Sequence, residues 1–329
     1  MGLKVLYIGG TGTISAACVR ESLALGHEVS VLNRGQSTLR PLPPDVRLLR
    51  ADIADDDATS AALTSDTFDV VADFLTYEPT RLARNIACLR GRVRQYVLIA
   101  TASAYAKPVP RLPITESMQL VNPYWEYSRE KIACEDLLVG LIRSEGFPGT
   151  IVRPSHTYDA GKLPNIGKWT DIARMREGKP IVILGDGTSL WTLTHARDFA
   201  YCFARLLGDR RAIGEAFHIT GDEVLTWNAI YAELARAAGV AEPVIVHATS
   251  QAIARVLPVR GPGLLGDKSH SVIFDNSKVR SIATGFAQRV PFSVGAEEII
   301  ACHDAHPEIQ FREPDVDAAW DLLAARDAR

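Results

Sequence analysis

The stretch Leu3–Ala17, LKVLYIGGTGTISAA, decides the fold. Its opening residues form a short apolar run of the kind that suits a buried parallel strand. Gly9, Gly10 and Gly12 follow at once, and Thr13–Leu25 has the pattern of a helix. A strand, a glycine turn and a helix in this order predict a phosphate-binding turn. Gly9 permits the tight turn, Gly12 lets the backbone approach a pyrophosphate, and the helix start offers free N–H groups.

The third position of this glycine pattern is a serine. The spacing is Gly9-x-x-Gly12-x-x-Ser15, and a small residue is needed there because that helix face packs on the strand. A glycine turn between a strand and a helix is often only a turn. Its place at the beginning of a βαβ unit favours a dinucleotide site, with Thr13 and Ile14 as further contacts at the helix start.

The composition is that of an ordinary globular protein. The chain has 329 residues, enough for one large or two ordinary domains, with 47% hydrophobic and 23% charged residues. A net charge of −3 gives no indication of a nucleic-acid partner. The five cysteines form no Cys-x-x-Cys pair, which argues against disulfides and zinc and fits a cytoplasmic location. We expect no membrane contact and no signal peptide, since no apolar run has the length of a span.

Six apolar runs alternate with helical patterns in the first half of the chain. They predict strands at 3–8, 27–33, 46–51, 68–74, 95–100 and 150–153. This alternation is typical of an α/β fold with a Rossmann-like, doubly wound parallel sheet, to which residues 216–220 are predicted to return. We expect residues 1–153 and about 188–238 to form the dinucleotide-binding domain. Residues 154–187 and about 239–329 are then a smaller α/β substrate-binding lobe.

The end of the second strand indicates the type of dinucleotide. An acidic residue there would accept hydrogen bonds from the adenosine ribose of NAD, but the chain has Asn33 and Arg34. The planar cation of Arg34 suits a 2′-phosphate, and Ser37 and Arg40 follow closely. This favours NADP, with NAD as the alternative. The competing interpretation is that Arg34 is a solvated loop cation.

Other strand ends supply further candidate contacts with the cofactor. Asp52 and Ile53 follow the third strand, where a carboxylate and an aliphatic side chain suit the edge and face of adenine. Asp52 is equally suited to cap the next helix, and the two roles are compatible. Phe74 and Leu75 end the fourth strand, and ligands bind at the carboxyl ends of parallel strands.

A Tyr-x-x-x-Lys pair lies on the long helix predicted at 124–144. The spacing of Tyr127 and Lys131 places both side chains on one helix face. A lysine ammonium beside a phenol lowers the tyrosine pKa, which would make Tyr127 an acid or base near neutral pH. Thr101 follows the fifth strand, where its hydroxyl would point into the same crevice. The alternative is an exposed tyrosine and a solvated lysine, because the motif is short.

Taken together, these motifs resemble the extended short-chain dehydrogenase/reductase family of the epimerase/dehydratase type, over nearly the whole chain. The resemblance rests on the glycine turn, Asp52, Thr101 with Tyr105, Tyr127-x-x-x-Lys131, Arg153-Pro154-x-x-x-Tyr158 and Gly185-Asp186-Gly187 with His195-x-x-Asp198. It implies that Thr101 binds the substrate oxygen and Tyr127 transfers the proton. It further implies that Lys131 holds the nicotinamide ribose, and that hydride passes between the nicotinamide and a substrate carbon.

The resemblance also suggests contacts around the reacting centre. Pro154 and His156 follow the sixth strand near the expected carboxamide of the cofactor. The candidate substrate contacts are Tyr77, Ser103, Trp169 and Trp191. Trp191 stands where many nucleotide-sugar enzymes have an arginine that grips the pyrophosphate, although Lys168, Arg174, Arg260 and Lys268 could supply the charge. Large aromatic residues in such a lobe are more often core. No metal site is expected, because neither His156 nor His195 has a second ligand at metal spacing.

The function that follows is an NAD(P)-dependent oxidoreductase or epimerase, acting on a hydroxyl or ketone of a sugar-like or nucleotide-sugar substrate. Dehydration is disfavoured because Ala102 and Ser103 occupy the positions of the usual acid pair. The alternative is a cofactor-holding RNA-binding or regulatory protein without catalysis. Relatives often form homodimers through the helices that carry Asn85 and Tyr127, which makes a homodimer possible here.

Overall fold

The computed structural model of the chain describes residues 2–64 and 66–327. Residues 1, 65, 328 and 329, which fall within the predicted domain ranges, lie outside this description. The strands are β1 (Lys4–Ile8), β2 (Glu28–Asn33), β3 (Arg47–Arg50), β4 (Phe68–Asp73), β5 (Val93–Ile99), β6 (Gly149–Pro154), β7 (Thr157–Tyr158), β8 (Ile181–Leu184), β9 (Leu190–Trp191), β10 (Thr194–His195), β11 (Ala216–Ile219), β12 (Leu225–Thr226) and β13 (Ile245–Ala248).

Helices connect these strands. They are α1 (Ser15–Ala24), α2 (Asp56–Thr64), α3 (Pro79–Leu89), α4 (Glu126–Glu145), α5 (Trp169–Arg176), α6 (Ala196–Leu206), α7 (Trp227–Ala237), α8 (Ser250–Val256), α9 (Gly261–Gly263), α10 (Ser277–Arg280), α11 (Phe292–Ala305) and α12 (Pro314–Asp327). Thr226 caps α7, since its hydroxyl accepts a hydrogen bond of 3.1 Å from the Ala229 N–H.

Seven strands form one parallel sheet in the order β11-β6-β5-β4-β1-β2-β3. The predicted Rossmann-like sheet is confirmed, including the return of β11, which pairs in parallel with β6. β1 lies between β2 and β4, so the chain leaves β1 on one side and later returns on the other. A crevice forms at the carboxyl ends of the strands where this order reverses, and the glycine turn lies there.

Helices cover both faces of the sheet. On one face α1 packs against α6, through side chains such as Cys18, Val19 and Phe199. On the other face α3 packs against α4, where Leu82 and Leu138 belong to a second apolar cluster. Asn85 of α3 is buried, and its amide donates to Asp73 (3.0 Å) and Thr76 (3.1 Å). The homodimer through α3 and α4 stays a prediction.

The third apolar cluster fills a smaller lobe above the carboxyl ends of the strands. Its largest buried side chains include Trp191, Trp227 and Trp320, and the short pairs β8–β13 and β9–β12 border it. Helix α7 packs into this lobe, whereas residues 279–286 pack against the sheet. The predicted domain boundaries stay a prediction. In the described part of the chain, no helix is both long and apolar enough to span a membrane.

Candidate active site

A cavity of about 850 Å³ lies at the carboxyl ends of β1, β2 and β4, and we call it the sheet cavity. Its volume lies in the usual range of ligand sites, about 300–1,000 Å³. The residues predicted to bind a cofactor that line it are Gly9, Gly12, Thr13, Ile14, Asn33, Arg34, Ser37, Asp52, Ile53, Phe74, Leu75, Tyr127, Lys131 and Pro154. Tyr77, predicted as a substrate contact, lines this cavity as well.

The glycine turn at one end of the sheet cavity depends on two backbone conformations that favour glycine. Gly9 and Gly10 have φ values of 116° and 95°. A Cβ on Gly10 would stand 2.8 Å from the Val31 side chain, so this position, which the sequence analysis left without a role, also requires glycine. Among the described residues, no acceptor faces the N–H groups of Thr13 and Ile14. These open donors at a helix start fit the pyrophosphate of a dinucleotide.

Ser15 takes part in the turn as well as in helix packing. Its hydroxyl accepts a hydrogen bond of 2.9 Å from the Gly12 N–H, and the residue lines the sheet cavity. Asn33 supports the same turn, because its amide donates to the Gly9 carbonyl (3.1 Å) and its oxygen accepts from the Gly35 N–H (2.7 Å). Asn33 therefore fixes the loop on which Arg34 lies.

Two arginines near the end of β2 differ in whether their guanidinium groups are free to bind a ligand. The Arg34 side chain is 66% exposed, and its guanidinium lies 4.0 Å from the Asp52 carboxylate. Arg40 instead forms a bidentate ion pair with Asp159, with distances of 2.5 and 2.6 Å. Arg40 is therefore occupied within the fold. Arg50, at the end of β3, lies beside the same loop, since a Cβ on Gly35 would be 3.2 Å from its guanidinium.

A second cavity of about 370 Å³ adjoins the first below the smaller lobe, and we call it the lobe cavity. Four residues line both cavities: Tyr127, Pro154, Thr157 and Lys162. Tyr127 therefore stands at the junction of a groove shaped for a dinucleotide and a pocket of the size of a sugar. Thr101 and Ser103, both predicted site residues, line the lobe cavity.

The Tyr127 phenol lies beside a chain of hydroxyl groups. The nearest is that of Thr101, which lowers the pKa of Tyr127. The Thr101 Oγ1 lies 2.9 Å from the Ser103 Oγ, which lies 2.8 Å from the Ser128 Oγ. Asn122 fixes the segment, because its amide donates to the Ser103 carbonyl (2.9 Å). The predicted proximity of Thr101 and Tyr127 is thus present in the structure.

The expected effect of Lys131 on Tyr127 is wrong. Burial raises the pKa of Tyr127 to about 12, helped by Tyr77 and opposed by the hydrogen bond with Thr101. The ammonium of Lys131 is directed elsewhere, since it donates to the carbonyls of Thr76 (2.6 Å) and Ile99 (2.7 Å). Burial lowers the pKa of Lys131 itself to about 8. Tyr127 is therefore a protonated phenol at neutral pH, which suits a proton donor.

His156 lies in the lobe cavity and not in the sheet cavity, where a cofactor contact was predicted. Its Nε2 lies 2.7 Å from the Pro164 carbonyl, so this nitrogen carries the proton and donates it. Burial lowers the pKa of His156 far below its usual value, and the ring is neutral. His156 and Lys168, with φ values of 33° and 50°, are the non-glycine residues of the described chain with positive φ, and both line this cavity. Such backbone strain is concentrated at functional sites.

The structure does not bring Trp169 and Trp191 to either cavity. Trp169 stacks on His303, with ring centroids 5.1 Å apart, and Trp191 stacks on Trp227 at 5.2 Å. Both are buried in the core of the lobe, the alternative that their size already suggested. Trp191 contacts the site only indirectly, because its ring packs edge to face against that of His156, with ring centroids 5.3 Å apart.

Several residues that line the lobe cavity were missed. The rings of Trp125 and Tyr127 contact each other in a tilted arrangement, with centroids 5.0 Å apart, and Thr157 and Lys162 border both cavities. Two features of the sequence could have pointed to these residues. Trp125 lies two positions before Tyr127, and Lys162 lies in the glycine- and lysine-containing loop after β7. Asp267 comes from the distant 264–268 segment, which no pattern connects with this site.

This sheet, glycine turn and Tyr-x-x-x-Lys pair define a Rossmann fold of the short-chain dehydrogenase/reductase type. The profile of the NAD dependent epimerase/dehydratase family matches residues 5–220, and the chain belongs to this family. Within the described residues, no three His, Cys, Asp or Glu side chains are grouped in a way that could hold a metal ion.

Two curated relatives are each 29% identical to the chain. One is the chloroplast stem-loop binding protein of 41 kDa b of Arabidopsis thaliana, with 74% of this chain and 65% of that protein covered, slightly under two thirds of its length. The other is the 2′-dehydrokanamycin reductase of Streptomyces kanamyceticus, with 72% and 67% covered. Among solved structures, UDP-glucuronic acid 4-epimerase of Bacillus cereus, in complex with UDP-glucuronic acid and NAD, superimposes with a TM-score of 0.74 at 19% identity. That match covers 92% of this chain and 99% of the epimerase and shows a shared fold.

Proposed function

We propose that the protein is an NADP(H)-dependent oxidoreductase that acts on a ketone or hydroxyl of a sugar-like substrate, with Tyr127 as the acid or base. The observation that carries this proposal is the position of Tyr127 on the wall shared by the two cavities. A dinucleotide in the sheet cavity and a sugar in the lobe cavity would both contact this side chain. The enzymes named among the relatives and structural neighbours, a reductase and an epimerase, support the same reaction class.

Each residue of the site would have a distinct role in the reaction. The protonated phenol of Tyr127 donates its proton to a substrate carbonyl oxygen, and Thr101 orients that hydroxyl through its hydrogen bond. Lys131, anchored on two carbonyls, has one further N–H donor for a cofactor ribose. A bound nicotinamide supplies or accepts the hydride. Trp125 and Tyr77 flank the phenol and keep water away from it.

The preference for NADP is supported by the charges at the end of β2. Arg34 lines the sheet cavity with a largely exposed guanidinium, and Arg50 lies beside the same loop. Ser37 lines the cavity close by. Two guanidinium groups and a hydroxyl form a suitable environment for a 2′-phosphate, whereas the carboxylate typical of NAD sites is replaced by Asn33.

Net reduction or epimerisation fits the lobe cavity better than dehydration. Ala102 and Ser103, which follow Thr101 directly, carry no carboxylate. The carboxylate that does line this cavity, Asp267, lies 3.8 Å from the ammonium of Lys107 and is already engaged by that cation.

The test is turnover of a panel of 4-keto and 4-hydroxy sugars and their nucleotide-linked forms, with NADPH, NADP, NADH and NAD in turn. The expected result is hydride transfer, faster with the phosphorylated cofactor. Tyr127→Phe should abolish the reaction while cofactor binding remains. Activity that is unchanged in Tyr127→Phe would overturn the assignment.

A second candidate function is RNA binding without catalysis, because one relative is named a stem-loop binding protein. The net charge of −3 opposes it, since phosphate contacts require a surplus of cations on the binding surface. Retention of a radiolabelled RNA stem-loop on a filter that decreases with added salt would support this candidate. The presence of Thr101, Tyr127 and Lys131 together favours catalysis.

A further inference from the structure

The lobe cavity contains a group of cations. Lys162, Lys168, Arg260 and Lys268 line it, and we call these four residues the cationic cluster. Asp267 is the carboxylate in the same lining. The four positive charges face a cavity of about 370 Å³, so they are close enough to act on a single small ligand.

Two members of the cationic cluster share one carboxylate of the protein. Glu313 pairs with both Lys168 (3.2 Å) and Arg260 (2.7 Å). Asp267 lies 3.8 Å from Lys107, an ammonium that is itself buried. Within the described residues, these pairs leave Lys162 and Lys268 as the members of the cluster without a salt bridge.

Lys162 and Lys268 form no ion pair in the described chain. The nearby carboxylate of Asp159 is held by two bonds from Arg40. Burial lowers the pKa of both lysines; Asp159 opposes this shift at Lys162 and Asp267 opposes it at Lys268, while neighbouring cations add to it. Lys162 is exposed and Lys268 is half-buried, so both ammonium groups can be reached by an anion that enters the lobe cavity.

The position of these two lysines places the charge beside the reacting centre. Lys162 lines both cavities, as Tyr127 does. The ammonium of Lys268 lies 5.7 Å from the ring centroid of Trp125, and this ring contacts that of Tyr127. An anion held here would be carried by the reacting sugar itself and not by a distant part of the ligand.

We propose that the substrate is an anionic sugar, whose carboxylate or phosphate group binds between Lys162 and Lys268 in the lobe cavity. This inference rests on the proposed function, because it assigns the lobe cavity to the substrate. A neutral sugar would leave both ammonium groups uncompensated, and a cationic aminosugar would be repelled.

The test uses the full chain saturated with NADPH, so that the sheet cavity is filled. Inorganic phosphate, glucuronate, glucose and kanamycin are titrated at constant ionic strength, and binding is measured by calorimetry. The expected result is that phosphate or glucuronate binds about tenfold more tightly than glucose, with kanamycin weakest. Binding of phosphate without glucuronate identifies a phosphorylated substrate, and the reverse identifies a sugar acid.

Variants then locate the anion. Lys268→Gln should weaken anion binding about tenfold and leave NADPH binding unchanged, because Lys268 does not line the sheet cavity. Lys179→Gln, which removes a lysine paired with Glu177 elsewhere in the lobe, is the matched control and should change neither. Lys162→Gln repeats the test independently if the first variant fails to fold.

Failure of this inference can be distinguished from failure of the proposed function. Equal binding of glucose and glucuronate, no anion binding, or anion binding unchanged in folded Lys268→Gln and Lys162→Gln would overturn the anionic substrate. NADPH binding is measured on the same samples, and its dependence on Arg34 is measured with the Arg34→Ser variant. If the unmodified chain did not bind NADPH, the proposed function would be overturned instead.

Discussion

The sheet cavity and the lobe cavity share a wall at Tyr127 but are built in different ways. The sheet cavity is formed by strand ends and turns, and most of its lining falls within residues 9–53 and 74–77. Its donors are backbone N–H groups at a helix start, supplemented by Arg34. The lobe cavity is assembled from three distant segments, at 101–127, 154–168 and 260–274, and its donors are side-chain cations.

This difference separates the recognition of the dinucleotide, which is general, from the recognition of the substrate, which is specific. Backbone donors and glycine conformations recognise a pyrophosphate, which is common to all dinucleotides. Side-chain cations on loops, in contrast, are suited to the selection of one substrate. Tyr127 is the point at which the two parts meet, so variants on either side of it should separate binding from turnover.

The largest effect is expected at the shared wall. Tyr127→Phe removes the proton donor and should lower the rate of hydride transfer by about 10²–10⁴-fold. NADPH affinity should change little, because the ring remains. Stopped-flow measurement of NADPH oxidation with a substrate found in the panel gives the rate. Tyr124→Phe is the control, since Tyr124 is 47% exposed and precedes the same helix; an equal loss in both variants would contradict the role of Tyr127.

On the sheet side, Gly10→Ala tests the turn. A φ of 95° and a Cβ 2.8 Å from Val31 make alanine unfavourable, and the free energy of unfolding should fall by about 1–3 kcal/mol, together with NADPH affinity. Urea denaturation measures this change. Gly140→Ala, in the middle of α4 with no atom within 4 Å of the added Cβ, should stabilise the chain by up to about 1 kcal/mol. An unaffected Gly10→Ala would contradict the described turn.

The adenosine end of the sheet cavity gives a smaller, selective effect. Arg34→Ser should weaken NADPH binding about tenfold and leave NADH binding unchanged, because the lost contact is with the 2′-phosphate. Fluorescence titration of the two cofactors measures the ratio. Arg20→Ser removes an exposed arginine of α1 and serves as the control. A parallel loss for both cofactors would show that Arg34 does not select NADP.

The smallest effect is a pH dependence due to Lys131. Its pKa is lowered to about 8, so the free protein loses this ammonium as the pH rises through 8. A cofactor held by the charged form should bind about twofold more weakly at pH 8 than at pH 7, and weaker still above. Affinity measured from pH 6 to 9 shows this decline. Lys131→Gln should remove it, and an affinity of the unmodified chain that is constant over this range would contradict the role.

The predictability of each region follows from how it is built. Gly9, Phe74 and Tyr127 could be placed from the sequence because strand ends and helix periodicity determine which side chains face the crevice. The lobe cavity depends on tertiary packing between distant loops, so Asp267 had no local signal and Lys162 had only the composition of its loop. The prediction that the Lys131 ammonium acts on Tyr127 was wrong for a similar reason. The carbonyls of Thr76 and Ile99, which hold this ammonium, come from other segments of the chain.

The account depends most on the claim that the two cavities are halves of one active site joined at Tyr127. A crystal structure of the chain with NADPH bound tests this claim directly. The account predicts the nicotinamide ring beside Tyr127 and Lys131, at the opening into the lobe cavity, and the 2′-phosphate beside Arg34. A cofactor bound in the opposite direction, or a nicotinamide separated from Tyr127, would contradict it.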